Sequence, residues 1–206
     1  MSYHSVAIEF GWAAAVLGFW ATFAQSRRAS RRGVEGVSLA TWALFVFMGC
    51  FWITYGVVAR SWEVTMGSAV ILPLQLAIVF RLAPWRSWMV VARAFGFFVL
   101  LCVVPTVMWG WPAGVYGTGI AMIANRAPQI LELIRHEDAT GVSVASWLVN
   151  GAGSVLWVLY YQDVHLWAAM ITMGFAGAAN LLIAILATWR HRQIMQRTIA
   201  REVFAS

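Results

Sequence analysis

The sequence predicts an all-α membrane protein of seven transmembrane helices, arranged as two parallel three-helix-bundle repeats joined by one linker helix. Three observations carry this. Of 206 residues, 62% are hydrophobic and 11% charged, against about 45–50% and about 25% in an ordinary soluble domain. The apolar residues fall in runs of roughly 20, the length at which a helix crosses about 30 Å of hydrocarbon. The chain also repeats itself at a fixed offset.

The runs occupy about Val6–Phe23, Leu39–Ala59, Val64–Leu82, Met89–Met108, Ala113–Ile134, Ser143–Tyr161 and Val164–Trp189, separated by short polar or Pro/Gly-bearing joints. Stretches such as Ala69–Leu74 do not alternate in and out, which excludes an outer-membrane barrel with its alternating segments of about ten residues. Met1–His4 has no basic stretch and the first run carries Glu9 without a small-residue cleavage site, so no cleaved leader is expected. Cys50 and Cys102 both lie inside apolar runs, with no spacing that suggests a disulfide framework.

Orientation follows from the basic residues, which are 14 Arg and no Lys against 8 acids, a net charge of +6. With the N-terminus outside, Arg27, Arg28, Arg31, Arg32, Arg81, Arg86, Arg135, Arg190, Arg192, Arg197 and Arg201 face the cytoplasm. Arg60 alone then sits in an outer loop, and Arg93 and Arg126 fall within spans. Positively charged short loops stay inside, so the N-terminus is expected outside and the C-terminus in the cytoplasm. The basic excess is therefore a matter of topology, and no nucleic-acid partner is expected. The tail Arg190–Arg201 reads either as a short basic helix on the lipid surface, with Ile194 and Ile199 dipping in, or as a frayed solvated end.

A shift of 105 residues lays Gly36-Val37-Ser38-Leu39-Ala40-Thr41-Trp42 on Gly141-Val142-Ser143-Val144-Ala145-Ser146-Trp147, identical at five of seven positions. The same shift pairs Trp52 with Trp157, Tyr55 with Tyr160, Trp62 with Trp167 and Ile78 with Ile183, and a shift of 104 pairs Ala24-Gln25 with Pro128-Gln129. Residues 1–83 and 111–189 thus read as two copies of one three-helix unit, 84–110 as a linker helix and 190–206 as a basic cytoplasmic tail. A three-helix unit ends on the opposite face from its start, so the single linker helix makes the copies parallel. Repeat-built membrane folds of this kind place a solute site at the midplane between their halves.

Pro128-Gln129, basic Arg135, Gly141-Val142-Ser143, Trp157 and Tyr160 resemble the PQ-loop pattern, and Ala24-Gln25 through Gly36-Val37-Ser38 to Trp52 and Tyr55 is similar, with Ala in place of Pro. The chain resembles the SWEET/PQ-loop (MtN3-like) superfamily in its seven-helix form. The resemblance implies a carrier working by facilitated, alternating-access diffusion of a small polar solute, in the first place a sugar, with helices packed in the order 1-3-2 in each unit. It implies site-lining roles for Trp52 and Trp157. The family's paired Asn positions fall on Ser68 and Met173, while Gln75 and Asn180 lie two turns further along the same helix face. Relatives that carry amino acids or small organic ions, and a receptor of the same fold that binds a peptide terminus without carrying it, are the alternatives.

The side chains themselves support this division of roles. Flat Trp faces stack on the C–H face of a sugar or on a cation, although most of the 13 tryptophans suit interfacial belts, to which Trp62, Trp85, Trp88, Trp109 and Trp111 are assigned. Asn150, Asn180 and Gln75 offer carboxamides to hydroxyl groups or to neighbouring helices. Arg126 lies about two-thirds of the way through the fifth span, where an unpaired charge costs at least about 2.5–3.5 kcal/mol. The preferred reading is a structural brace with Glu132 or Glu9, beside Asn125 and Gln129; the other is an anchor for an anionic solute. Gln25, Pro128 and Gln129, together with Tyr55 and Tyr160, are expected to form hinges or gates, Pro128 because it removes a helix hydrogen bond. His4, His136, His165 and His191 sit at span ends or in loops, so no metal site, cofactor or enzymatic centre is expected. The expected partners are the solute and membrane lipid, with one chain sufficient for a pathway. The Arg-only, Ala/Val/Gly/Trp-rich composition points to a bacterial inner membrane.

Overall fold

The computed structural model describes residues 3–32, 37–82, 87–135 and 142–205, and the side chains of all of these except 3–5, 32, 128 and 198–205. Gly36, Trp85, Arg86, His136 and Gly141 lie outside the described residues, as do the side chains of His4, Arg32, Pro128, Ile199 and Arg201. The described chain is helical throughout: α1 (Tyr3–Arg32), α2 (Leu39–Val58), α3 (Trp62–Leu82), α4 (Trp88–Phe98), a π-turn (Val99–Val103), α5 (Val104–Trp109), α6 (Trp111–Arg135), α7 (Val144–Asp163) and α8 (Trp167–Ala205). Because α4, the π-turn and α5 run on without a break, these are seven rods.

Among the described residues, five rods are long and apolar enough to cross a membrane: α1, α2, α3, the α4–α5 rod and α8. Large apolar side chains face outward along them, Phe80 at 77% exposure and Val107 at 79%, a surface that a water-soluble protein does not present on this scale. The molecule is an all-α membrane protein. Helices α6 and α7 are of comparable length but fall short in hydropathy, since α6 carries Asn125, Arg126, Gln129 and Glu132, and α7 carries Ser146, Asn150 and Ser154. Trp62, Trp88 and Trp109 are exposed at rod ends as the belt assignment expects. Trp111 is not: its ring is half-buried against Phe51, 5.5 Å away, and Tyr55, 5.9 Å away.

Two ends differ from the sequence expectation. Helix α1 continues through the arginines to Arg32, there being no Gly or Pro between Gly18 and Arg32 to stop it. Helix α8 runs 39 residues to Ala205, so the tail is neither a separate surface helix nor a frayed end. Arg190 helps hold it in place, donating from Nε to the Leu133 carbonyl at 2.7 Å and from Nη2 to that of Ile134. A cation on the last free carbonyls of α6 is the natural partner of a helix C-terminus.

Local backbone features recur at the 105-residue spacing. Ser38 and Ser143 are both extended N-caps, each accepting from the backbone N–H three residues on at 3.3 Å. The α2–α3 and α7–α8 turns both close through a left-handed residue, Arg60 at φ 53° and His165 at φ 57°. Matching hydrogen bonds accompany them, Ala59 N–H to Tyr55 O and Val164 N–H to Tyr160 O, then Ser61 N–H to Gly56 O and Leu166 N–H to Tyr161 O. In packing, α3 lies against both α1 and α2, and α8 against both α6 and α7; α1 meets α7, and α2 meets α6.

The α4–α5 rod stands outside these groups, against α2 and α6. Pro105 has no N–H for the Leu101 carbonyl and its ring crowds that carbonyl, and the π-turn Val99–Val103 takes up the misfit. The freed oxygen is received by α6 at Gly117, where a Cβ would stand 1.5 Å from Leu101 O. Gly96, four residues before Leu100 on the lipid side, has nothing within 4 Å of its would-be Cβ. Gly117→Ala is therefore expected to lower stability by about 1–3 kcal/mol through overpacking against an oxygen that cannot swing away. Gly96→Ala should be neutral or stabilising by up to about 1 kcal/mol. Thermal unfolding of the two variants in detergent measures the contrast; equal midpoints would mean that the contact between the π-turn and α6 is looser than described.

Candidate functional site

A cavity of about 170 Å³ lies at the centre, walled by α1, α2, α3, α6, α7 and α8. Its lining pairs off under the repeat spacings. At 105 residues, Phe45 pairs with Asn150, Met48 with Gly153, Gly49 with Ser154, Trp52 with Trp157, Ser68 with Met173 and Gln75 with Asn180; at 104, Gly18 pairs with Met122 and Thr22 with Arg126. Both partners of each pair face the same space, so the cavity sits where corresponding positions of the two three-helix groups meet. All eight residues proposed for binding from the sequence, Trp52, Trp157, Asn180, Gln75, Asn150, Ser68, Met173 and Arg126, are in its wall.

Small residues make the space. Gly67 would bring a Cβ to 2.9 Å from Ala15 Cβ, and Gly153 lies over Leu17 and the Ala14 carbonyl, so α1 approaches α3 and α7 closely. The aromatic wall contains a third ring beside the two expected tryptophans. The Tyr161 ring lies between them, stacked on Trp157 at 5.3 Å and 17° and on Trp52 at 6.3 Å and 21°. Tyr161 occupies the position that Gly56 holds in the first copy, and no sequence signal other than that mismatch marks it. Trp52 is 5% exposed, and its indole Nε1 is buried without a partner, as is Gln75 Oε1.

Arg126, 5% exposed, forms the polar corner of the cavity. Its Nε donates to Asn180 Oδ1 at 2.7 Å and its Nη1 to the Met122 carbonyl at 2.7 Å, with the guanidinium 5.7 Å over the Phe45 ring. Asn180 is fixed in turn, its Nδ2 donating to Ser154 Oγ at 3.4 Å, and Ser154 Oγ donating to the Asn150 carbonyl at 2.8 Å. The expected carboxylate brace is absent from this geometry. Glu132 lies six residues further along α6, about 9 Å of rise and about 240° round the helix, and Glu9 is exposed near the other end of α1. The partners of the guanidinium are a carboxamide, a carbonyl and a ring, all neutral, and among the described residues lining the cavity Arg126 is the one charged side chain.

Hydrogen bonds also join the two groups beyond the cavity, toward either end of the helices. At the basic end, Thr41 Oγ1 donates to the Asn125 carbonyl at 2.8 Å and Ser143 N–H to Gln25 Oε1 at 3.4 Å. Gln25 and Gln129 are both buried here, outside the cavity, and the α6 backbone runs helical through Pro128. The Asn125 carboxamide is buried beside them without a partner for either polar atom. At the opposite end, Tyr160 Oη and Ser61 Oγ each lie 3.1 Å from Glu63 Oε2 and 2.9 Å from one another, a triangle in which two hydroxyl protons serve three contacts and at least one is donated to the carboxylate. Gly11 lets α1 fit against this cluster, a Cβ there meeting Tyr160 at 3.0 Å and Glu63 at 3.1 Å. Under the same spacing Ser61 and Glu63 correspond to Leu166 and Ala168, and Tyr55, the counterpart of Tyr160, packs on Phe51 and Trp111.

No protein family, curated protein or solved structure matches the chain. Among the described residues, no group of three or more His, Cys, Asp or Glu is placed to hold a metal ion.

The two tyrosines are expected to respond differently to loss of one oxygen. Tyr160→Phe removes a hydrogen bond to a carboxylate, worth about 1.5–3 kcal/mol when buried and here about 1–2 kcal/mol because Glu63 is half-exposed. Tyr55→Phe should change stability by less than about 0.5 kcal/mol. Denaturation of the two variants side by side checks this, and equal losses would remove the asymmetry between the two ends.

Proposed function

We propose that the chain is an alternating-access carrier of a small polar solute, of the SWEET/PQ-loop kind, with all seven rods spanning a bacterial inner membrane, the N-terminus outside and the C-terminus in the cytoplasm. The observation that carries this reading is the cavity itself: it is central, its walls pair off under the repeat spacing, and hydrogen bonds join the two groups on either side of it. A site between two similar units, flanked by bonds that separate when the units rock, is what alternating access requires. In this reading residues 1–83 and 111–189 are parallel repeats, the α4–α5 rod restores direction between them, and one chain forms a complete pathway. The polar character of α6 and α7 is compatible with spanning, because their polar side chains turn toward the cavity and the neighbouring helices, away from lipid.

The cavity also bounds the cargo. A dry cavity of about 150 Å³ accommodates benzene, so about 170 Å³ suits a solute of roughly six to eight heavy atoms. A hexose, with about twice as many, fits when Tyr161 leaves its place between Trp52 and Trp157.

Two measurements test the proposal. In proteoliposomes, a labelled solute of this size should enter down its gradient and exchange with unlabelled solute on the far side; binding without passage would favour a receptor. Single cysteines in place of Arg135 and His165, in a chain lacking Cys50 and Cys102, should be labelled from opposite sides of the membrane by an impermeant reagent, His165→Cys from outside. Labelling from one side would mean that α7 does not cross.

A further inference from the structure

We infer that the solute is a small monocarboxylate of about three or four carbons, its carboxylate seated on Arg126. This rests on the carrier reading for passage across the membrane, but not for binding. A guanidinium enclosed among membrane helices is one of the more expensive groups a protein can place there, and it is normally met by an acid. Arg126 is met by Asn180 Oδ1, Met122 O and the face of Phe45, and the cavity it lines contains no acidic side chain among the described residues. The wall is therefore out of balance by a single positive charge, which a monoanion neutralises.

The rest of the site narrows the anion. A carboxylate matches the planar fork of a guanidinium, whereas a phosphate ester or a dicarboxylate would bring a second negative charge to a wall with one cation. The volume admits roughly six to eight heavy atoms. Asn180 is already held by Ser154, so the Arg126–Asn180 pair is oriented before the ligand arrives, which lowers the cost of binding. Beyond this corner the wall is mixed: Met48, Met173 and Trp157 offer apolar contact, while Asn150 and Gln75 offer carboxamides. A short 2-hydroxy or 2-oxo acid, charged at one end and partly apolar at the other, meets each of these in turn.

The test compares lactate with lactamide, which has the same heavy-atom count and shape without the charge. Binding to the purified full-length protein is measured by calorimetry, and uptake into proteoliposomes is measured for lactate, glycerate, glycerol and glucose. Lactate is expected to bind at least about tenfold more tightly than lactamide, the smaller end of the range for a charged hydrogen bond. Arg126→Gln should abolish that preference, and Arg126→Lys should keep part of it. Equal binding of lactate and lactamide by the unaltered protein overturns the inference without recourse to any variant. If glucose or glycerol equilibrates across the bilayer and carboxylates show no advantage, the carrier reading stands and the charge assignment falls. If lactate binds preferentially but does not cross, the site assignment stands and the carrier reading falls. Neither binding nor passage of any of these solutes overturns both.

Discussion

In hydrocarbon there is no water to satisfy a polar group, so each one must be met inside the protein or placed where a water-filled or ligand-filled space reaches it. This constraint organises the molecule. Many of its buried polar side chains gather in three places: the Thr41–Asn125 and Gln25–Ser143 contacts, the Arg126–Asn180–Ser154 chain, and the Tyr160–Ser61–Glu63 cluster. The outward faces are left to Val, Leu, Ile, Phe and Trp. The concentration of polar residues in α6 and α7 follows, and it costs those two helices the hydropathy that the others retain.

The backbone repeats more faithfully than the side chains do. Caps at Ser38 and Ser143 and left-handed turn residues at Arg60 and His165 coincide at 105 residues, because each is dictated by a local requirement that both copies share. The cavity contents diverge at the repeat spacings. Thr22 corresponds to Arg126 at 104 residues, and Phe45 to Asn150 and Gly56 to Tyr161 at 105. Helices α6, α7 and α8 contribute the charge of Arg126, the Asn180 carboxamide and the Tyr161 ring that lies between Trp52 and Trp157. Helix α3 contributes the Glu63 carboxylate at the end opposite the arginines. Two similar shells thus enclose a site with a distinct polar corner.

Much of this was legible before any coordinates. The apolar runs located every rod, and the internal match, the family resemblance and the polar residues inside spans together singled out eight residues that share one cavity wall. Where the reading fell short, a physical reason can be named. Tyr161 sits in an ordinary run of aromatics, and only its ring position reveals that it separates the tryptophans. The Ser61–Tyr160–Glu63 cluster joins residues about a hundred positions apart, with no counterpart in the other copy to draw attention to it. A brace for Arg126 was a reasonable expectation from the cost of burying charge, but the nearest acid on its own helix points elsewhere. Trp111 resembled a belt residue by its place at a run's end, and only the packing of Phe51 and Tyr55 against it shows otherwise.

The π-turn ahead of Pro105 has a rotational consequence. A π-turn accommodates one residue more than an α-helical turn, and each residue advances a helix by about 100°. The rod therefore changes its working face midway: α4 presents one flank to α2, and α5 presents a flank turned by about a quarter circle to α6. With the extra residue, one apolar rod fastens to a member of each three-helix group, and acts as a twisted splice between them.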